Sequence, residues 1–261
     1  MNAFKTMAAA ALAIIVTSCS VKEDRTPCPC WLGIHITPSL EHSRDLTVSA
    51  WDQDRIFSQT VSVADYPDEY EHTVPKGHVT VSAYCGRKTG FEQGGRIIIP
   101  EGSDSDPIMA HLRLVDCTGE FAKDTAVLHK QFARVFVNVE IPKGHDYPYT
   151  FKACSDVCGM DMRDLSPVEG DFQIDLKLDQ ENICMFCLPR QKEDGGNLRL
   201  LVYEEGEVIE TIPLAEWIDK MGYNWLKKDL EDIYIGVDYA KAEVSITIKG
   251  WDEGISFKVE I

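Results

Sequence analysis

Apolar and polar residues alternate with a period of two through most of this chain, in short runs that Gly, Pro, Asp or Asn cut off. Trp31-Leu32-Gly33-Ile34-His35-Ile36 and Leu46-Thr47-Val48-Ser49-Ala50-Trp51 set the pattern, and residues 59–63, 70–74, 79–85, 95–99 and 108–115 repeat it. A strand turns successive side chains to opposite faces, so each run buries one face and wets the other. Pro75-Lys76-Gly77 between two runs reads as a tight turn, because proline presets the first turn dihedral and glycine accepts a positive one. This half has no convincing helical period. Strands this short and this closely spaced predict a β-sandwich.

Past Cys117-Thr118-Gly119 the same grammar starts again, with candidate strands at 126–128, 134–140, 150–153, 172–176, 183–188, 198–203 and 208–212. One segment breaks the period. In Leu214 to Met221, the residues Leu214, Trp217, Ile218 and Met221 recur at helical spacing, and Gly222 can end the helix. Runs at 233–239, 244–248 and 255–261 close the chain. The expected fold is all-β, with two tandem sandwich domains at 28–118 and 119–261 and one short helix in the second. A single larger sandwich is the alternative.

Ahead of the strands, residues 1–18 hold one basic residue, Lys5, and an apolar run from Met7 to Val16 that is too short to span a bilayer. These are the parts of a secretory signal. Val16-Thr17-Ser18-Cys19 resembles a bacterial lipobox. Small Ser18 lets a peptidase approach the backbone, and the Cys19 thiol is the nucleophile that an acyl-bearing donor alkylates. Cleavage between Ser18 and Cys19 then leaves lipidated Cys19 as the first residue, with 19–27 as a tether. A plain cleaved signal with a chance cysteine, or a short uncleaved anchor, is the alternative. Within the tether, Lys22-Glu23-Asp24 resembles the acidic signal that sends some lipoproteins to the outer face of the outer membrane, although a solvated linker has the same composition.

Removing residues 1–18 takes Lys5 away and moves the formal charge from −17 to −18. So acidic a chain repels nucleic acid and anionic lipid, and neither is an expected partner.

Setting Cys19 aside leaves Cys28, Cys30, Cys85, Cys117, Cys154, Cys158, Cys184 and Cys187. An even number in an exported protein makes them candidate disulfide cysteines, with on the order of a hundred pairings among which the sequence does not choose. Cys28 and Cys30 share a strand face too far apart for easy mutual bonding. Cys154-x3-Cys158 with Cys184-x2-Cys187 has something of a zinc site, but Cys184 and Cys187 face opposite ways on a strand, so no metal and no cofactor is expected.

No enzyme motif is present: there is no Gly-x-Ser-x-Gly elbow, no His-Glu-x-x-His helix and no phosphate-binding glycine loop. The histidines are scattered without ligand spacing. Asp104 with Asp106, and Asp161 with Asp164, sit in loops that could offer oxygens to calcium but lack the twelve-residue loop pattern. Trp31, Trp51, Trp217, Trp225 and Trp251 could line a carbohydrate platform, yet within alternating or helical patterns they read as core.

The lipobox, Cys28-Pro29-Cys30-Trp31-Leu32 opening the first strand, the tail Trp225-Leu226-Lys227-Lys228-Asp229-Leu230-Glu231-Asp232-Ile233-Tyr234-Ile235, Val237-Asp238-Tyr239 and Gly250-Trp251 together resemble the minor anchor subunits of type V fimbriae, the fimbrillin anchor lipoproteins. The resemblance covers nearly the whole chain through diffuse, structural motifs. It implies two transthyretin-like sandwiches and a lipidated subunit at the fimbrial base. Such a subunit holds the fibre on the outer membrane and limits its length. It also implies that a shaft subunit adds a donor strand to an open sheet edge, whose unpaired backbone groups and pockets for alternate side chains accept it. The final run, Ser256-Phe257-Lys258-Val259-Glu260-Ile261, leaves no segment beyond it to donate, which suits an acceptor. The second reading is a surface lipoprotein that binds a glycan or a host protein.

Overall fold

The computed structural model describes residues 25, 28–36, 45–65, 69–141, 148–238, 243–248 and 255–258, the last two segments by their backbone alone. Ser18, Cys19, the Lys22-Glu23-Asp24 run and Trp251 lie outside the described residues.

The first sandwich packs a three-stranded sheet on a five-stranded one. In the smaller sheet, β1 (Cys30–Ile36) lies between β4 (Glu69–Val74), to which it runs antiparallel, and β9 (Phe121–Ala126), to which it runs parallel. The larger sheet has the order β10 (His129–Lys130), β8 (Met109–Asp116), β5 (His78–Cys85), β2 (Asp45–Trp51), β3 (Arg55–Ser62). The period-two pattern sets the core: Leu32, Ile34 and Ile36 of β1 meet Leu46, Val48 and Ala50 of β2 and Val79, Val81 and Ala83 of β5 in one buried cluster. Each large aliphatic side chain buried this way stabilises the fold by roughly 1.5–3 kcal/mol. Trp31 is one residue out of phase with Leu32 and stands half exposed on the outer face, contrary to its reading as core.

The second sandwich packs β14 (Ile183–Pro189), β11 (Phe132–Glu140), β17 (Ile233–Asp238), β18 (Glu243–Ile248) and β19 (Ile255–Lys258), in that order, against a sheet built on β12 (Tyr149–Asp161). Along one side β12 pairs with β13 (Pro167–Leu176). Along the other, Tyr149 to Cys154 pair with β15 (Arg199–Glu204), which carries β16 (Glu207–Ile212) beyond it. The expected helix is α1 (Leu214–Lys220), with Leu214, Ala215, Trp217 and Ile218 buried. It ends as glycine allows: Gly222 takes φ +75°, its N–H reaches the Asp219 carbonyl at 2.7 Å, and the Tyr223 N–H reaches that of Ile218 at 3.3 Å. No helix among the described residues is long and apolar enough to cross a membrane.

Two elements pair across position 118/119. Strand β9 lies after it yet completes the first sandwich by pairing with β1 from Trp31↔Phe121 to Ile36↔Ala126. Its inward residues are Ala122, Asp124 and Ala126, too small or too polar to register as an apolar alternation. Conversely, the hairpin of β6 (Phe91–Gln93) and β7 (Arg96–Ile98) lies before that position but joins the second sandwich, where β7 pairs with the far end of β12 at Gly159↔Ile98. Tyr84, Ile97, Ile108, Ala110, Met160 and Met162 form a small third core at this crossing.

Candidate functional site

Arg25 meets the fold at one end of the first sandwich. There the Arg25 guanidinium lies 3.2 Å from Glu120, the Lys76 ammonium donates to the Arg25 carbonyl at 2.7 Å, and the Trp31 N–H donates to the Glu120 carbonyl at 2.8 Å. The ion pair is solvent-exposed and worth under about 1 kcal/mol. What fixes this end is the β1 ladder.

The joint between the sandwiches is more elaborate, and the sequence signalled it only as the tail motif. Trp225 is buried beside Tyr223, ring centroids 4.5 Å apart. The loop that follows wraps the linker at 129–131. Asp229 accepts from the Lys130 N–H at 2.8 Å and contacts His129 Nδ1 at 2.9 Å, while the Leu230 N–H donates to the Lys130 carbonyl at 3.1 Å. Asp232 is nearly inaccessible and takes ion pairs from Lys130 and from Arg134, the latter at 2.8 Å. Burial alone would raise the Asp232 carboxyl, but those two cations hold it below the usual carboxylate range.

Arg190 completes the joint from β14's end. Its buried guanidinium donates to Gln131 Oε1 from Nε and Nη2, to the Lys227 carbonyl at 2.8 Å and to the Trp225 carbonyl. Burial lowers its pKa, the cost of enclosing a charge whose acceptors here are an amide oxygen and backbone carbonyls. Gln131 ties both halves: its N–H donates to the Ile108 carbonyl at 3.0 Å, and its carbonyl accepts from the Arg190 N–H at 3.1 Å.

The paired aspartates turn out to be backbone acceptors. Asp106 takes the N–H groups of Lys88, Thr89 and Gly90 at 2.8–3.1 Å. Burial pushes its pKa up, yet these donors outweigh it and the net shift is down. Asp104 accepts from the Cys187 N–H at 2.6 Å, and burial leaves it raised. Together with the Ser105 N–H on the Cys187 carbonyl, this straps the 104–106 segment along β14. Asp161 is held by Arg96 and Arg163, and Asp164 caps the Ser166 N–H.

A cleft of about 860 Å³ opens between the sandwiches, bordered by His111, Arg113, Arg190, Lys192, Lys227 and Lys228 among others. Most of this charge is already matched: Arg113 pairs with Asp124, Lys192 with Asp156 and Glu169, and Lys227 with Glu231. Trp51, Trp217 and Trp225 are buried, so they form no carbohydrate platform.

The eight cysteines described are free thiols. Cys30 and Cys117 meet in the first core. Cys154 and Cys158 lie on β12, and Cys184 and Cys187 on β14 in the facing sheet, with Cys184 in the second core. Among the described residues no three His, Cys, Asp or Glu side chains gather as metal ligands.

No family model matches the chain. No curated protein matches it in sequence either. Solved structures do. A proposed polysaccharide-binding protein of Bacteroides thetaiotaomicron superposes with a TM-score of 0.63 at 12% identity, over 88% of this chain and 98% of that one. A candidate adhesin of Bacteroides ovatus gives 0.61 at 10%, over 88% and 96%. The fimbrial anchor protein Mfa2 of Porphyromonas gingivalis gives 0.60 at 17%, over 86% and 98%. The chain therefore has the fold of a fimbrial anchor and of adhesin-like proteins, which is the fold that the resemblance in its sequence implies.

Proposed function

We propose that this chain is a lipid-anchored minor subunit of a fimbrium that fixes the fibre to the outer membrane and limits its length. The observation that carries this reading is the shared fold, which extends over 86% of this chain and 98% of the anchor Mfa2. The sequence supplies the attachment. Cys19, freed by cleavage after Ser18, takes acyl chains, and two or more chains hold a protein stably where one does so only marginally. The acidic Lys22-Glu23-Asp24 directs it to the outer face.

An anchor must pass load from fibre to membrane. The joint built by Gln131, Arg190, Asp229 and Asp232, the docked β6–β7 hairpin and the strap at 104–106 couple the two sandwiches for that purpose. A shaft subunit adds its strand to an unpaired sheet end; among the described strands β3, β4, β6, β9, β10, β14, β16 and β19 end the sheet orders. The other reading, a surface lipoprotein that binds a glycan or host protein, would have to use the cleft, since the tryptophans it needs are mostly buried.

The test is genetic. Deletion of the protein and Cys19→Ser should each shed fibres into the medium or lengthen them. Fibres unchanged in length and retained on the cell would overturn the anchor.

A further inference from the structure

Cys30 opens β1, where it pairs with Val74 of β4. Cys117 follows β8 and exchanges two backbone hydrogen bonds with Gly77, at 2.7 and 3.4 Å, just past the end of β4. On the other side, the Trp31 N–H meets the Glu120 carbonyl, in the turn that leads from Cys117 into β9. The ladders thus draw both cysteines, one from each sheet, to the same end of the first sandwich. Both side chains are wholly buried in the same apolar cluster, and after burial itself the neighbouring Cys30 thiol is what raises that of Cys117.

We propose that Cys30 and Cys117 are joined by a disulfide in the exported protein. The inference rests on the export half of the function proposed above, because such bonds persist outside the reducing cytosol. Closing the bond removes two protons and two electrons from the pair. They pass to a dithiol–disulfide oxidant: one thiolate attacks the oxidant's disulfide, the second displaces the resulting mixed disulfide, and the oxidant leaves as a dithiol.

The surroundings set the timing. Burial pushes the Cys117 thiol up to about 12, so the folded, reduced protein offers almost no thiolate at neutral pH and no path to it. The bond therefore forms while the core is still open. It also sits where the tether meets the fold. Tension on the amino end would peel β1 from between β4 and β9; a bond at Cys30 passes that load directly to the β8 side.

The full-length protein is taken from the membrane fraction of cells quenched with an alkylating agent, denatured, and mapped by peptide mass without reduction. The expected result is one species joining the Cys30 and Cys117 peptides, which reduction splits. Alkylated Cys30 and Cys117, or either one paired elsewhere, would overturn the bond. A membrane-borne protein with both thiols free sinks the bond and leaves the anchor standing, whereas a linked pair in cells whose fibres ignore deletion of the protein sinks the anchor and leaves the bond. As a second measurement, Cys30→Ala, Cys117→Ala and the double variant should all lose the sensitivity of unfolding to dithiothreitol that the parent protein has. A parent insensitive to dithiothreitol would overturn the proposal even where a variant fails to fold.

Discussion

The Arg190 guanidinium grips the side-chain carbonyl of Gln131 with two donors, Nε at 3.0 Å and Nη2 at 2.8 Å, and so fastens the linker between the sandwiches to the loop that follows Trp225. Replacing it strands several acceptors at once. Arg190→Met should cost about 3 kcal/mol in urea unfolding, because it leaves Gln131 Oε1 and the Trp225 and Lys227 carbonyls short of a buried donor. Arg190→Lys should recover little of this, since an ammonium cannot reproduce the planar fork. A neutral outcome for Arg190→Met would mean that the joint does not hold the loop.

Gly159 lets the β6–β7 hairpin dock. A Cβ on it would lie 2.1 Å from the Ile97 carbonyl oxygen, which is backbone and cannot swing aside. Gly159→Ala should therefore cost about 1–3 kcal/mol. It should also speed amide exchange at Ile99, whose N–H bonds the Cys158 carbonyl at 2.8 Å. Unchanged exchange at Ile99 would show that β7 tolerates the methyl group and that the crossing is loose.

Acid should weaken the fold in a defined window. Asp106, Asp124 and Asp232 all have folded pKa values below their ordinary ones: burial opposes ionisation in each, and it is outweighed by N–H donors at Asp106, by His111 and Arg113 at Asp124, and by Lys130 and Arg134 at Asp232. For a depressed carboxylate the unfolded chain binds the proton first. The stabilisation is thus complete above the unfolded value, about 3.9, and is lost as pH falls through the lower folded values. Asp104 runs the other way, since burial raises it. Unfolding followed from pH 6 to pH 2 should hold level to about pH 5 and then drop, and Asp106→Asn should make the drop shallower. An identical slope in that variant would remove Asp106 from the account.

Where inward positions are large and apolar, as in β1, β2, β5, β11 and α1, sequence and structure agree closely, because hydrophobic burial writes itself into the period. Where inward positions are small or polar, the pattern is silent. Strand β9 turns Asp124 inward to meet His111 at 2.8 Å across the two sheets, and no apolar period marks a strand held partly by a buried hydrogen bond. Strand β9, which follows position 118/119 in the chain, pairs with β1 in the first sandwich without an apolar period to announce it. The tail from Trp225 to Ile235 stood out as a motif, yet its work depends on Arg190 and on Lys130, far away in sequence; only the folded chain brings them within hydrogen-bond reach. The aspartate pairs read in sequence as loop acids without a calcium-loop pattern, and the backbone N–H groups that Asp104, Asp106 and Asp164 accept from are set only by the fold.

The phase of β1 gives the last prediction, from two neighbouring residues. Leu32 is fully buried between the sheets and Trp31 is half exposed on the outer face, in register with Phe121, which is 74% exposed. Leu32→Ala should cost about 2–5 kcal/mol, the transfer loss plus the cavity it leaves. Trp31→Thr and Phe121→Thr, although each removes a larger side chain, should stay within about 1 kcal/mol, because threonine suits a strand and little buried area is lost. Urea unfolding of the three variants checks this directly. If Trp31→Thr proved as damaging as Leu32→Ala, the strand would be shifted by one residue from the register described, and every inward residue of β1, Cys30 included, would face outward instead.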